Sequence, residues 1–396
     1  MGLFDWFGKF KVERNRDGGF SYWETETAFG VNKDLLNISL ENFVVMSVIS
    51  IRAKIYSQMK ITHVNKNGEE IKDSPFIKLL KQPNYFQSQE DFLFQQMWFQ
   101  SAAGTNLTYQ IDVLKTPYAL YNLIPSEVDL NKTEKISKFI TQERDVKILG
   151  DKEIIYKLDN QEYRLKLKSI IPSYDLSNGL CKNSFMKSPS RLTSLMPVIH
   201  NINEASKSKN VNLKMSQKYL VSSAGDGNNA HIQTSDRTDI ERKIGAKSVM
   251  ITNMKVDAKH LVSDLKRLYL DESNNEDAMK ILLAFGMNKE ILNYFADGGA
   301  TYENQEKAMI NYIQNDVQAS ADDRMNSLSS QWGLIDAGEK LVASYDHLPI
   351  MASVVNQKIA TLKAFEETIK ISIESGTITI DEAKQMSRDL RLKLKL

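Results

Sequence analysis

The chain has 396 residues, of which 51 are basic and 50 acidic, and 42% are hydrophobic. These are ordinary globular values, so they exclude wholesale disorder and a coiled-coil rod, and the length predicts two or three structural units. The net charge of +1 excludes a protein that coats DNA through a large basic excess. A single cysteine, Cys181, excludes a disulfide framework and a cysteine-based zinc site, and no two histidines lie within one helical turn. We therefore expect no cofactor and no metal.

The sequence predicts no membrane segment. Its longest apolar stretch, residues 43–51, is interrupted by serines and is much shorter than the ~20 residues that a bilayer requires. The N-terminal segment MGLFDWFGKF is apolar, but it contains Asp5 and no cleavage site, so it does not read as a signal peptide. We expect a protein of a reducing, cytosolic compartment that makes no membrane contact.

The first half of the chain predicts a mixture of helices and strands. Apolar residues recur at three- and four-residue steps from Phe43 to Met59, which indicates an amphipathic helix that Ser39 can cap. Asn67-Gly68 is typical of a type I′ turn and predicts a hairpin of two short strands. Helices are expected from Ser74-Pro75 and over residues 90–103, the second of them closed by Gly104. Residues 106–174 alternate as β-strands do.

The second half predicts long helices, because no proline occurs between Pro197 and Pro349. Residues 189–219 and 302–332 each read as one helix about 45 Å long. The first of these has an apolar stripe that stops at Ala205, beyond which its residues are polar. The charged residues in 187–218 are mostly basic and those in 263–303 mostly acidic. The near-zero net charge therefore conceals a separation of charge along the chain.

No catalytic motif is convincing. The chain lacks a phosphate-binding glycine loop and a nucleophile elbow, and the Ser57-x-x-Lys60 tetrad occurs on an ordinary amphipathic helix. Apart from any family resemblance, two classes stay open. These are an α+β enzyme of unknown reaction and a cytosolic scaffold that binds partners through its long helices.

Several segments, in order, resemble bacteriophage portal proteins of the HK97-like class, the head-to-tail connectors of tailed phages. The resemblance spans about residues 35–390 and is carried by ENFVVMSVISIRAKIYSQMKI, PFIKLLKQPNYFQSQEDFLFQQ, GTNLTYQ, YNLIPSEVDL, NGLCKNSFMKSPSRL, AFGMNKEIL and ATYENQEKAMINYIQNDV. The chain departs from the family pattern where Leu107 and Thr108 follow Asn106, where Asn288 replaces a proline, and where Ser190 follows Ser188-Pro189.

The resemblance implies an α+β portal-type fold. Its parts are expected as an N-terminal arm (1–37), an α/β wing (38–185), a first stem helix (186–219), a small α/β clip (220–262), a second stem helix (263–285), a tunnel loop (286–301), a long wing helix (302–345) and a helical crown (346–396).

The resemblance also implies function without enzymatic activity. Such a protein forms a ring, normally a dodecamer, at one vertex of the virion capsid after assembly in the host bacterial cytoplasm. Double-stranded DNA passes through the channel, and the expected partners are other copies, the large terminase subunit, the head-tail adaptor, and the major capsid or scaffold protein.

Three groups of residues are implied as functional. Asp297, Gly298 and Gly299 are expected in the tunnel loop at the channel, and Arg237, Arg242, Lys243 and Lys247 in the clip at the terminase and adaptor. Arg388, Arg391, Lys393 and Lys395 are expected to face DNA from the crown.

Overall fold

The computed structural model describes residues 33–114, 116–129, 153–158, 161–177, 188–215, 219–223, 256–260, 270–291, 302–375 and 377–394. The chain divides into two compact units, one of Met1–Ser194 with Leu282–Leu396 and the other of Leu195–Ile281. No single helix in the described ranges has the length and apolar character needed to cross a membrane; Leu35–Glu41 and Phe43–Ser57, which meet at 95°, reach that threshold only as a bent pair.

The first half of the larger unit mixes helices and strands as expected. Its helices are α1 (Lys33–Glu41), α2 (Phe43–Ser57), α3 (Pro75–Lys81) and α4 (Gln89–Ala103). Its strands are β1 (Lys60–Val64), β2 (Thr105–Val113), β3 (Thr116–Leu123), β4 (Val128–Asp129), β5 (Glu153–Leu158), β6 (Gln161–Lys166) and β7 (Ile170–Tyr174). The strands form antiparallel sheets in the orders β3-β2-β7 and β4-β5-β6.

The second half is mostly helical. The elements are α5 (Arg191–Met215), β8 (Tyr219–Ser223), β9 (Val256–His260), α6 (Leu270–Ala284), α7 (Tyr302–Tyr312), a π-helical turn (Ile313–Val317), α8 (Gln318–Gln331), β10 (Lys340–Ser344), α9 (Ala352–Glu374) and α10 (Ile380–Leu394). The helix predicted over 302–332 is observed from Tyr302 to Gln331, and β10 follows it within the range 302–345 that was expected for the long wing helix.

Local capping chemistry sets the helix boundaries in the first half. Ser74 and Ser88 accept hydrogen bonds from the backbone at the starts of α3 and α4, and Gly104 closes α4 at φ +79°. The prediction that Ser39 caps α2 was wrong, because Asn42 Oδ1 accepts from the N–H groups of Val44 and Val45 at 3.1 Å. Ser39 lies inside α1 and accepts a hydrogen bond from Trp98 Nε1 on α4.

The predicted hairpin at Asn67-Gly68 is also wrong in its pairing. A turn forms there, with Gly68 at φ +81°, but the chain across it is joined by a single bridge between Val64 and Glu70. Strand β1 pairs instead along its whole length with β10, nearly 280 positions later. The local sequence predicted the turn but not β10, the strand that pairs with β1.

The core of the larger unit lies between helices and sheet. Helices α2 and α4 pack through fully buried side chains that include Ile49, Phe92 and Met97. Leu107, Leu123 and Ile170 on one sheet and Ile154 on the other form one buried cluster with Ala103, Val128 and Leu167. This core provides a rigid support for the ends of α5 and α6 that belong to the same unit.

The smaller unit contains most of α5, the β8–β9 pair and most of α6. The apolar stripe of α5 is buried at Leu195, Ile199 and Ile202, and every side chain from 203 to 210 except the half-buried Ala205 is exposed. The predicted loss of the apolar face midway along this helix is confirmed.

Candidate functional site

Four charged residues from four separate elements meet in the larger unit, and we call them the arginine–aspartate cluster. Arg52 is on α2, Asp175 follows β7, Arg191 begins α5, and Asp316 lies in the π-helical turn. Arg52 contacts Asp175 at 2.6 Å and Asp316 at 2.9 Å, while Arg191 contacts the same two carboxylates at 2.7 and 3.6 Å. Each guanidinium is thus shared between both carboxylates.

The cluster is largely shielded from water. The side chains of Arg52 and Asp175 are essentially fully buried, and those of Arg191 and Asp316 nearly so. Burial by itself would lower the pKa of Arg52, but the carboxylates of Asp175 and Asp316 outweigh it and hold that pKa above its usual value. A buried charge is tolerated when it is paired in this way, and removal of one partner is costly.

The cluster holds the first turn of α5 and the last turn of α6 at one point. Arg191 Nη1 donates to the carbonyl of Ala284, the last residue of α6, at 2.9 Å. The next residue, Phe285, is buried with its ring centroid 5.9 Å from the Arg52 guanidinium and 5.6 Å from that of Arg191, so two cations contact one ring.

The segment that leads into α5 is fixed by a close backbone approach. A Cβ on Gly104 would overlap the carbonyl of Ser188 and lie within 2.7 Å of Pro189. Ser188 N donates to Thr105 Oγ1 at 2.9 Å, and Ser190 Oγ donates to the carbonyl of Ala102 at 2.8 Å. Only glycine at position 104 lets the two segments cross here.

The segments that carry the portal resemblance therefore converge. Arg52, Gly104, Ser188, Phe285 and Asp316 each lie in a different one of the quoted segments. Sequence reasoning did not assign a role to the cluster. One signal was available: Arg52 occupies an inward position of an apolar helix, four residues after Val48.

A second buried arginine, Arg324, has no acidic partner among the residues that the structure describes. Arg324 on α8 donates to Thr108 Oγ1 at 2.8 Å and to Ser173 Oγ at 3.2 Å, and its Nε has no hydrogen-bond partner. Burial lowers the pKa of Arg324 to about 10. These hydrogen bonds join α8 to strands β2 and β7, so Arg324 has a structural role.

Ser74, His63 and Glu339 have the residue types of a hydrolase triad but not its accessibility. His63 Nδ1 lies 2.9 Å from Ser74 Oγ, and Nε2 lies 3.1 Å from Glu339 Oε2 without hydrogen-bond alignment. Ser74 is buried and its Oγ also accepts from Ile77 N to cap α3, so it is not exposed to a substrate. Within the described ranges, no group of His, Cys, Asp and Glu residues could hold a metal ion.

Most of the site residues expected from the sequence lie outside the described residues. This applies to Asp297, Gly298, Gly299, Arg237, Arg242, Lys243, Lys247 and Lys395. Arg388 is exposed on α10, and Arg391 and Lys393 lie in the same helix with side chains outside the described set. The three expected groups therefore remain predictions.

The fold is thus a mixture of helices and strands in which the start of α5 and the end of α6 are held on one α+β body. The profile of the family described as "Phage portal protein" matches residues 44–387. The chain belongs to the phage portal protein family, and the predicted α+β fold class is confirmed. None of the curated proteins matches this sequence.

Solved structures share the fold at low sequence identity. A chain from the neck of an empty gene transfer agent (GTA) particle, computed with C6 symmetry, is 14% identical, with a TM-score of 0.62 over 94% of this chain and 96% of its own. A chain from the neck of a native GTA particle, computed with C12 symmetry, is 13% identical, with a TM-score of 0.58 over 90% and 93%. An HK97-family phage portal protein from Corynebacterium diphtheriae is 11% identical, with a TM-score of 0.49 over 82% and 99%.

Proposed function

We propose that twelve copies of this chain close into a ring at one capsid vertex of a phage virion, and that double-stranded DNA passes through the central channel during packaging and ejection. Family membership supports the class of protein, and the C12 and C6 symmetries of the GTA necks support a cyclic assembly. The observation that carries the ring for this chain is the exposure of its C-terminal helices.

Helices α9 and α10 form a hairpin without a core. Among the side chains described in residues 352–390, Ala383 alone is buried. Val355, Leu362, Phe365 and Ile369 recur on one side of α9, yet each is only half-buried. Two helices alone are marginally stable in water, since most helical stability comes from tertiary packing of the apolar face. Neighbouring copies would supply the missing layer.

The outer half of α5 fits a channel that does not hold DNA tightly. Its exposed residues from 203 to 210 include one acidic residue, Glu204, and two basic residues, Lys207 and Lys209, and Lys207 pairs with Glu204 at 2.8 Å. Each strong phosphate contact would add affinity and resist sliding. A polar surface with few net charges lets a duplex pass.

The residues implied by the family resemblance take their roles within this ring. The tunnel-loop residues Asp297, Gly298 and Gly299 would line the narrowest part of the channel, where small side chains let the backbone approach DNA. The basic clip residues Arg237, Arg242, Lys243 and Lys247 would contact the terminase and then the head-tail adaptor. Arg388, Arg391, Lys393 and Lys395 would face packaged DNA from the crown.

The ring would be a conduit and not a motor. ATP hydrolysis would belong to the separate large terminase, and the major capsid or scaffold protein would surround the ring in the virion after assembly in the host cytoplasm. Purified protein should hydrolyse neither ATP nor DNA; either activity, abolished by one substitution, would favour the enzyme alternative.

Electron microscopy and native mass spectrometry of the purified chain test the ring. We expect closed particles of about twelve copies, which Phe365→Glu disrupts because it places a carboxylate in the half-buried face of α9. Lys363→Glu, on the exposed side of the same helix, should leave the rings intact. A chain that stays monomeric at high concentration contradicts the proposal.

A binding experiment with assembled rings tests the clip. Reversal of the four clip charges (Arg237→Glu, Arg242→Glu, Lys243→Glu and Lys247→Glu together) should abolish terminase binding while the ring persists. Charge reversal of exposed lysines on the wing, such as Lys66→Glu and Lys72→Glu, is the matched control and should leave binding unchanged. If the clip variant binds terminase as well as the control variant does, the assignment of terminase binding to the clip is wrong, and the proposal of a ring is unaffected.

A further inference from the structure

A small apolar surface lies where α1 meets α2. Leu40, Phe43 and Met46 are 56%, 65% and 40% exposed, and they fall within seven consecutive residues. Leu36, one turn before Leu40, is half-buried. We call Leu40, Phe43 and Met46 the bend surface, because the two helices meet there at 95°. Large apolar side chains grouped on an exposed surface usually mark a contact with another segment or molecule.

The bend surface is rigid and not a frayed end. Asn42, between Leu40 and Phe43, is buried and its Oδ1 caps α2 with two hydrogen bonds of 3.1 Å. Ser39, just before Leu40, is buried and accepts a hydrogen bond from Trp98 Nε1 at 3.2 Å. The polar side chains on the inner side therefore orient Leu40 and Phe43 outward.

From these observations we infer that the N-terminal segment of the same chain, residues 3–10, binds the bend surface. This segment carries Leu3, Phe4, Trp6, Phe7 and Phe10, and its one acidic and one basic residue, Asp5 and Lys9, cancel in charge. Four of its eight residues are aromatic, more than in any eight-residue window of positions 11–40, and it lies upstream of the surface it would cover.

The connection is long enough for this contact. About 22 residues separate Phe10 from Lys33, where α1 begins, and an extended chain of that length reaches ~75 Å. Helix α1, with nine residues, is only ~14 Å long. Tethering to the start of α1 gives the segment a high effective concentration at the bend surface, which favours the same chain over a free partner.

Thiol protection tests the inference directly. In a Cys181→Ser background the chain has no other cysteine, so Phe43→Cys places a single reporter thiol on the bend surface. We expect alkylation of this thiol to be at least tenfold slower in the full chain than in a chain lacking residues 2–10. Phe86→Cys is the matched control: Phe86 is an exposed aromatic residue elsewhere on the wing, and its thiol should react equally fast in both chains.

Two results would overturn the inference. Equal, fast alkylation of the Phe43→Cys thiol in both chains means that the segment does not cover the surface. Equal, slow alkylation in both means that something else covers it, such as a second copy. Mixing the truncated reporter chain with an excess of full-length chain without cysteine should not restore protection, and restoration would assign the contact to a neighbouring copy instead. None of these readouts depends on ring formation, so their failure and that of the proposed ring are distinguishable.

Discussion

The guanidinium of Arg52 lies 2.6 Å from the carboxylate of Asp175, although 123 positions separate them in the chain, and neither side chain is exposed to water. Asp175 also binds Arg191 at 2.7 Å, so one carboxylate joins α2 to the first residue of α5. The start of α5 is thereby attached to the buried interior of the larger unit.

Removal of the charge of Asp175 should be costly. Asp175→Asn leaves Arg52 and Arg191 with a single carboxylate between them, and we expect a loss of about 3–5 kcal/mol in the free energy of unfolding. Asp73→Asn is the control, because Asp73 is exposed and its contact with Lys78 is 3.5 Å long; we expect a loss below ~1 kcal/mol. Urea unfolding followed by tryptophan fluorescence measures the free energy of unfolding of both variants. Similar losses would show that the arginine–aspartate cluster stabilises the fold no more than an exposed ion pair does.

The two fully buried arginines should respond differently to the same substitution. Arg52→Met leaves the carboxylates of Asp175 and Asp316 short of a counter-charge, whereas Arg324→Met removes a cation that has no acidic partner and whose pKa burial has lowered to about 10. We expect Arg52→Met to destabilise the fold by at least ~2 kcal/mol more than Arg324→Met does. The same urea assay decides, and the reverse order would contradict our account of both sites.

Gly104 and Gly333 both have positive φ, at +79° and +68°, but only Gly104 lies against another segment. Gly333→Ala should cost about 1–2 kcal/mol from backbone strain alone. Gly104→Ala should cost about 1–3 kcal/mol more, because its Cβ meets the backbone of Ser188 and Pro189. Thermal melts of the two variants isolate the contact, and equal losses would show that the crossing segment can move away.

The free energy of unfolding should fall at alkaline pH, because buried tyrosines resist losing their protons in the folded chain. Burial raises the pKa of Tyr56 to about 12, above its value of about 10 in the unfolded chain. Its contribution is therefore present below pH 10 and is lost as the pH rises toward 12, by up to ~3 kcal/mol. Burial also raises the pKa of Tyr174, Tyr312 and Tyr345, which adds to the loss.

Tyr56→Phe tests the individual contribution. Between pH 9 and 11 the free energy of unfolding of this variant should fall less steeply than that of the unaltered chain. Tyr163→Phe, at a more exposed position on β6, should leave the slope unchanged. Parallel slopes for all three proteins would mean that the pKa of Tyr56 is the same in the folded and the unfolded chain, which would contradict the prediction.

Features that depend on neighbouring residues were predictable. Ser74 and Gly104 predicted a helix start and a helix end because capping involves groups within one turn. The stripe of α5 predicted an apolar face as far as Ala205 and polar residues beyond it, because helical periodicity places those residues on one face; in the structure the buried side chains end at Ile202 and Ala205 is half-buried. The order of the portal-like segments indicated the family before any contact was known.

Contacts between distant segments were not predictable from these patterns. The chemistry at Asn67-Gly68 predicted a turn but could not show that β1 pairs with β10, since strand pairing leaves no local periodicity. Arg52, Asp175, Arg191 and Asp316 are charged residues like many others along the chain until folding brings each guanidinium within 4 Å of both carboxylates. The sequence by itself determined where helices begin, end and turn polar, because those choices depend on adjacent residues; the tertiary structure alone decided which charges lose water and must pair, because burial is a property of the packed whole.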